Sequence, residues 1–402
     1  MISPNQDDFW GALKPVIFVS QLFSLFPVQG LFAKDASAIQ FRWMSLRTLY
    51  ALFFLTLAGL AICAQVNFIV GTKVSTGVVT EQLYFTFNFC GTVCFFVIAC
   101  RWKQIMMYWR KQEDIFLRPP YKPYGISLRV KIGVTGLSLI ALSFAEDILH
   151  ILSSMKVNQD YIDFCNITEP FWMIFYTREH RKVFDYVPYN WPMTLLVEFT
   201  HKVYLFVWSF MDVFIALISI GLLTRFEQLY SRIEHLKGKP MSEAFWAEVR
   251  RDYMQISNLV AYMDRVLSPM ILITCASDVY FITYQLYKSI QLKLTSGTTF
   301  YYRFSLVFLI FRVLVMLLTS SHVYVASRKP LEILRAVPMS SWTTSVQRFT
   351  NEILNIDSVL SGHKFFFLKR RIILAMAGTL ITYELVMLSQ VKATDSEIKC
   401  ED

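Results

Sequence analysis

The chain has 402 residues, of which 55% are hydrophobic and only 17% charged, against about 25% charged in ordinary soluble domains. With a mean hydropathy of +0.42 and several apolar runs of the roughly 20 residues a membrane span needs, a soluble globular domain is excluded. The net charge of +9 does not point to nucleic acid, because the basic residues lie between the apolar runs, where they read as signals of membrane orientation.

In chain order, residues 1–45 lack the basic, apolar and small-residue succession of a secretory leader. The first span is therefore expected to act as its own insertion signal. Seven spans follow, at Leu46–Val66, Leu83–Cys100, Ile132–Leu152, Trp191–Leu223, Val266–Tyr287, Phe304–Val325 and Ile372–Leu388. The expected fold is thus all-α, a polytopic membrane protein with seven transmembrane helices. Its expected division is a helical bundle over residues 1–325 and a terminal unit over 326–402. With the N-terminus inside, the inside segments hold 27 of the 39 Lys and Arg and the outside segments and helix ends hold 11, with Arg312 mid-span. That bias predicts an intracellular N-terminus and an extracellular C-terminus. The same orientation puts the sequon Asn166-Ile167-Thr168 in an outside loop of about 38 residues, making Asn166 a candidate glycosylation site.

Two intracellular segments carry apolar stripes at helical spacing. Phe245, Val249, Tyr253, Ile256, Val260, Met263 and Leu267 run into the fifth span. Trp342, Val346, Phe349, Ile353, Ile356 and Leu360 run toward the seventh. A helical bundle beneath the membrane is the preferred reading over helices lying on its surface, because Glu243, Glu248, Asp252, Asp264, Glu352 and Asp357 would be repelled by an anionic leaflet. Gly238 and Pro240 mark a turn, with Ser242 as the N-cap of the helix that follows. The seven cysteines show neither zinc spacing nor a disulfide framework. No P-loop, GxGxxG, HExxH or GxSxG occurs, so neither a cofactor nor a metal nor catalysis is expected.

Ionisable groups inside a membrane are costly and mark function or buried partners. Here they gather toward the outer half of the bundle. Asn88 is on the second span, and Glu146, Asp147 and His150 are on the third. Glu198, His201, Tyr204, Trp208 and Asp212 share a face of the fourth. Thr274, Asp278 and Gln285 are on the fifth, and Arg303 and Arg312 on the sixth. Carboxylates, amides and imidazoles beside Tyr and Trp suit a polyhydroxyl ligand: the polar groups bond vicinal hydroxyls, and the rings stack on a sugar's C–H face. Each group also has a structural alternative. Asp212 with Arg312 reads equally as an interhelix ion pair, Tyr204 and Trp208 as packing aromatics, Glu146, Asp147 and His150 as wetted interfacial groups, and Arg303 as a snorkelling residue.

The last span begins with Lys369-Arg370-Arg371 and is rich in small and hydroxylated residues, among them Ala375, Ala377, Gly378, Thr379 and Thr382. Such a helix either packs closely or, in several copies around an axis, lines a pore. Its Thr382-Tyr383-Glu384-Leu385-Val386-Met387-Leu388 resembles the C-terminal motif of insect gustatory receptors: Thr-Tyr, five mostly hydrophobic residues, then Gln-Phe. The Glu after the Tyr resembles the sugar-sensing branch, and the layout of residues 15–391 is similar too. Ser389 and Gln390 depart from the motif's closing Gln-Phe. The resemblance implies a homotetrameric, sugar-gated, non-selective cation channel in the plasma membrane of gustatory neurons, with sibling receptors as alternative partners. Thr382, Leu385, Leu388, Ser389 and Gln390 would stand near its gate. A G-protein-coupled seven-helix receptor and a transporter are the other readings. The first needs the N-terminus outside, and the second usually shows repeated halves or broken spans.

Overall fold

The computed structural model of the chain describes residues 7–33, 36–71, 76–123, 125–291 and 296–389. Its helices are α1 (Phe9–Leu22), α2 (Leu46–Gly71), α3 (Thr76–Glu113), α4 (Leu128–Cys165), α5 (Phe171–Glu179), α6 (Arg181–Phe184), α7 (Trp191–Ile233), α8 (Glu243–Gln291), α9 (Ser296–Arg328), α10 (Pro330–Leu334), α11 (Thr344–Asn355) and α12 (Arg370–Ser389). Two short antiparallel hairpins accompany them, β1 (Val28–Gln29) with β2 (Gln40–Phe41) and β3 (Ser361–Gly362) with β4 (Phe366–Phe367). The fold is all-α in substance.

Among the described residues six helices, α2, α3, α4, α7, α8 and α9, are long and apolar enough to cross a membrane. Seven are expected from the sequence. The difference is α12, with 20 residues, or about 30 Å at 1.5 Å per residue. By contrast α7 has 43 residues and α8 has 49, lengths of roughly 65 and 74 Å that exceed any bilayer and must project beyond it. The end carrying α5 and α6 is called the loop end here, and the end carrying α10 and α11 the stalk end.

Apolarity all round a helix demands burial all round, and α7 obeys: its apolar stretch is 94% buried, against 22% for α2 at the periphery. Around α7 stand α3, α4, α8 and α9. At the stalk end α1, not anticipated from sequence, packs on α3, α4 and α7. Asp8 caps it through the N–H of Gly11 at 3.0 Å, and Asp7 accepts from Leu128 and Arg129 at the start of α4. Phe9 stacks on Trp109 at 3.9 Å. The stack needs Gly221, where a Cβ would come within 2.6 Å of the Phe9 ring and 2.9 Å of Trp109. A wholly buried ion pair between Glu113 and Arg225 closes this corner, with the carboxylate also accepting the Phe9 N–H at 3.1 Å.

The first intracellular stripe behaves as the spacing predicts except at its start, where Phe245 is half-buried and Trp246 takes the buried position. Val249, Tyr253, Ile256, Val260, Met263 and Leu267 are all buried, and the Ser242 Oγ accepts from Phe245 N at 3.3 Å as N-cap. The second stripe is cut short. Val346, Phe349 and Ile353 face inward, with Phe349 packing 5.3 Å from the Tyr253 ring, but α11 ends at Asn355 instead of running on to Leu360. The chain turns back through β3 and β4 because α8 supplies partners a helix would not need. Asp264 accepts from the Ser361 N–H at 2.6 Å, and Ser268 from the His363 N–H at 2.6 Å. A further departure is Cys165, which is disulfide-bonded.

Candidate functional site

The predicted polar residues meet in the interior between α3, α4, α7, α8 and α9. Arg312 of α9 and Asp212 of α7 approach to 2.6 Å, each 1% exposed. The Asp278 carboxyl of α8 lies beside that of Asp212. Two carboxyls thus face one guanidinium. Arg312 also donates to the Ser209 hydroxyl, which accepts from Ser143 of α4 at 2.9 Å, and its guanidinium lies 4.8 Å from the centre of the Trp208 ring. Ser305 of α9 donates to Glu146 and accepts from Gln285 of α8 at 3.3 Å. These contacts tie four helices together.

Tyr84, Tyr204, Trp208 and Phe281 form an aromatic enclosure beside the triad. The Tyr84 ring lies 6.0 Å from Trp208, 6.0 Å from Phe281 and 6.4 Å from Tyr204. Asn88 donates to the Tyr84 carbonyl at 2.8 Å. The buried Tyr84 Oη, Asn88 Oδ1, Tyr204 Oη, Trp208 Nε1, Asp278 Oδ2 and Gln285 Oε1 have no hydrogen-bond partner among the described residues. Leaving a buried polar atom unpaired costs about 1–3 kcal/mol, so a cluster of six is unusual in a region serving packing alone.

Nearer the loop end, Lys202 bridges Asp147 at 2.6 Å and Glu198 at 3.2 Å, and Glu198 meets His180 at 3.1 Å. These groups satisfy one another. His150 lies against Tyr301, at 5.3 Å, and 6.3 Å from His201.

Beside this cluster, α2, the start of α3, the α5–α6 segment and α7 enclose a cavity of about 520 Å³. Its apolar wall includes Leu57, Leu60, Ala61, Leu196 and Val197. Its polar rim is a triad in which Gln65 donates to Glu81 at 2.7 Å and Lys182 donates to Gln65 at 2.8 Å and pairs with Glu81. Of the predicted ligand residues only His201 lines this cavity. With Phe85, whose ring is 5.3 Å from Tyr204, it forms the wall the cavity shares with the interior cluster.

The family model described as trehalose receptor matches residues 3–400 of the chain. The chain belongs to this family of insect gustatory receptors. The receptor is 32% identical over 392 residues to the gustatory receptor for sugar taste 64f of Drosophila melanogaster, covering 96% of this chain and 81% of that one. It is 33% identical over 391 residues to the gustatory receptor for sugar taste 64b of the same fly, covering 96% and 95%. Against the fly's gustatory receptor 5a for trehalose it is 30% identical over 386 residues, covering 96% and 85%. Its fold is similar to that of the insect olfactory receptor OR5 from Machilis hrabei, solved with eugenol, with a TM-score of 0.64 at 13% identity over 94% of this chain and 97% of that one. It is a membrane-embedded receptor, and its family is not a catalytic one.

In the receptor α12 leans on α8 and α9 through Ile372, Ile373, Met376 and Leu380. The opposite face is bare among the described residues: Leu374 is 75% and Ile381 62% exposed. Thr382 is on that face and donates to the Gly378 carbonyl at 2.9 Å. Gln390 lies outside the described residues, as do the side chains of Leu385, Leu388 and Ser389. Asn166 ends α4 in the left-handed region, at φ 51°, and is exposed.

Sequence reasoning missed Gln65, Glu81 and Lys182. Gln65 and Asn67 are amides in an apolar run, a signal that points inward. Glu81 and Lys182, 101 positions apart, meet only because the loop folds back. Arg225 entered the count of basic orientation signals, yet it is buried against Glu113. Its position directly after the long fourth apolar run was the available clue.

Proposed function

We propose that this receptor is a subunit of a sugar-gated, non-selective cation channel in the plasma membrane of gustatory receptor neurons. One observation carries the reading: a cluster of partnerless buried polar groups next to a 520 Å³ cavity at the loop end, a volume within the range of about 300–1,000 Å³ usual for small-molecule sites. A polyhydroxyl ligand supplies the donors and acceptors that Asn88, Tyr204, Asp278 and Gln285 lack, and Tyr84 and Trp208 offer ring faces for its C–H surface. The names of the relatives agree with a sugar, of which a di- or oligosaccharide suits the volume.

Residues 1–325 form the sensing bundle with the N-terminus inside. Residues 326–402 hold the anchor helix, a seventh span in α12 and an extracellular tail. A ligand shifts the closed–open equilibrium only by binding one state more tightly. Contraction around the sugar draws α8 and α9 together, and α12, which leans on both, moves with them. One α12 per subunit makes a pore only when copies surround an axis, hence a tetramer of this chain or of it with sibling receptors. The bare face of α12 with Thr382, and Leu385, Leu388, Ser389 and Gln390 beyond it, is assigned to the conduction path. Asn166 is assigned to glycosylation on the extracellular side. No cofactor or metal enters the scheme.

The test is Ala61→Trp, which places an indole in the cavity. Surface expression should equal wild type, while the sugar concentration for half-maximal current should rise at least tenfold. An unchanged dose–response at normal surface level would remove the cavity from the ligand path.

A further inference from the structure

The loop end carries a feature that neither the cavity nor the interior cluster uses. Between α5 and the start of α7, five aromatic rings stand in one row. Trp172 and Tyr176 stack with centres 6.0 Å apart, Tyr176 lies 6.3 Å from Trp191, Trp191 6.1 Å from Tyr189, and Tyr189 5.8 Å from Phe184. Trp172 is 45% and Trp191 54% exposed. The row leads to the cavity, because Tyr186, which falls between Phe184 and Tyr189 in sequence and is 65% exposed, is one of its lining residues.

Trp and Tyr at the edge of a membrane protein ordinarily belong to the interfacial belt, but these rings stand too high for it. Arg178, near the end of α5, donates to the Asn158 side chain of α4 at 3.0 Å, and its guanidinium lies 3.6 Å from the centre of the Tyr161 ring. Along α4, at about 1.5 Å per residue, Asn158 and Tyr161 are about 9 and 14 Å past Leu152, the outer end of the expected span. Trp172 follows the still higher Cys165 by seven residues. Trp191 reaches a similar height by a separate route. It precedes Lys202 by 11 residues, and Lys202 meets Asp147, five residues below Leu152, a net rise of about 9 Å. A headgroup layer is about 5–8 Å deep, and a helix tilt of about 20° takes only about 1 Å off these heights. The rings therefore face water above the lipid.

We propose that this row is a binding site for a linear oligosaccharide, which lies along the rings outside the membrane and delivers one end to the cavity. It rests on the sugar reading of the cavity and adds a length of ligand that the cavity alone does not hold. The C–H face of a pyranose covers an exposed ring and leaves its own hydroxyls wet. Arg181 and Asp185, 3.6 Å apart and both exposed, flank Phe184 in sequence and offer those hydroxyls hydrogen bonds. A row one ring wide suits a chain of sugar rings, whereas a stable protein partner needs a broad face of about 800 Å². Holding one end of the chain on the rings raises the effective concentration of the other end at the cavity.

The experiment passes the full chain, purified in detergent, over resins carrying α- or β-linked glucans. The receptor should be retained on at least one resin and released by the free oligosaccharide. Trp172→Ala with Trp191→Ala should lose at least nine-tenths of that retention, and Trp172→Phe with Trp191→Phe, which keeps the rings, should restore it. Ala61→Trp, which fills the cavity and leaves the row intact, should still be retained. Passage of wild type through every resin would overturn the proposal, as would equal retention of the alanine variant or loss of retention in Ala61→Trp. So would a smaller oligomer in the alanine variant, which would make the row a contact between copies. Protection of Trp172→Cys from a membrane-impermeant maleimide in lipid nanodiscs would place the row in lipid and overturn it too. No current is read here. A receptor that is retained yet never conducts fails the channel reading alone, and one that conducts in sugar but is never retained fails this proposal alone.

Discussion

Replacing Arg312 by Met removes the one cation from a triad buried between α7, α8 and α9. Asp212 and Asp278 then share a site that is 1% exposed at each residue with no compensating charge. Removing one partner of a buried ion pair costs about 3–5 kcal/mol, a large share of the 5–15 kcal/mol that holds a typical folded chain. Asp278→Asn acts with the opposite logic. It leaves one carboxylate against one guanidinium, and the new amide can donate to Asp212, so stability should hold within about 1 kcal/mol of wild type. The sugar dose–response of Asp278→Asn should nevertheless shift to higher concentration, because its unpartnered Oδ2 is a proposed ligand contact. Asp212, through its contact with Arg312, belongs with the structural arginine, so its removal should reduce surface expression as well as response. The assay is thermal inactivation of the detergent-solubilised receptor, followed as loss of the monodisperse chromatographic peak, with surface expression alongside. The reasoning is refuted if Arg312→Met is as stable as wild type, or if Asp278→Asn is the less stable of the two.

Gly221→Ala should destabilise by about 1–3 kcal/mol through overpacking, since its Cβ would press the Phe9 and Trp109 rings; solubilised thermal stability reads it, and Phe9→Ala in the same background should relieve the crowding part. At the stalk end Asp357 is paired with Arg328 at 2.6 Å and Lys369 at 2.7 Å; partial burial pushes its pKa up, but the hydrogen bonds from Lys369 and Arg328 outweigh it and hold the carboxyl below its ordinary value. The contribution is therefore present in full above the ordinary carboxylate range and lost as pH falls through the depressed value. Stability profiles of wild type and Asp357→Asn should differ near neutral pH and converge in acid, and a difference that grows in acid would contradict the sign. Thr382→Cys, on the bare face of α12, should react with a charged thiol reagent and lose current, whereas Met376→Cys, packed on the bundle, should not. Equal reaction at both positions would take that face out of the conduction path.

Much of the bundle was legible because lipid imposes a simple rule: long apolar helices, with basic residues between them. The stripe from Phe245 to Leu267 was legible for the same reason, since helical spacing fixes which side chains share a face. The end of α11 was not, because the β3–β4 hairpin depends on Asp264 and Ser268, about 97 and 95 positions away in sequence. In the candidate site, costly groups such as Asp278 and Asp212 announced themselves inside apolar runs. What spacing could not show was which of them neutralise each other: Asp147 and Glu198 are taken up by Lys202 and His180. Nor could it show the cavity, whose wall is ordinary leucine and alanine on α2 and whose rim comes from a loop.

The most direct measurement is single-channel recording from outside-out patches of cells expressing this chain alone, with sugar applied to the extracellular face. The account predicts discrete unitary openings in sugar, carried by sodium and potassium alike and persisting without nucleotide in the pipette. Patches that carry the receptor at the surface yet stay silent across a panel of mono-, di- and oligosaccharides, or that respond only when guanine nucleotide is supplied, would contradict it.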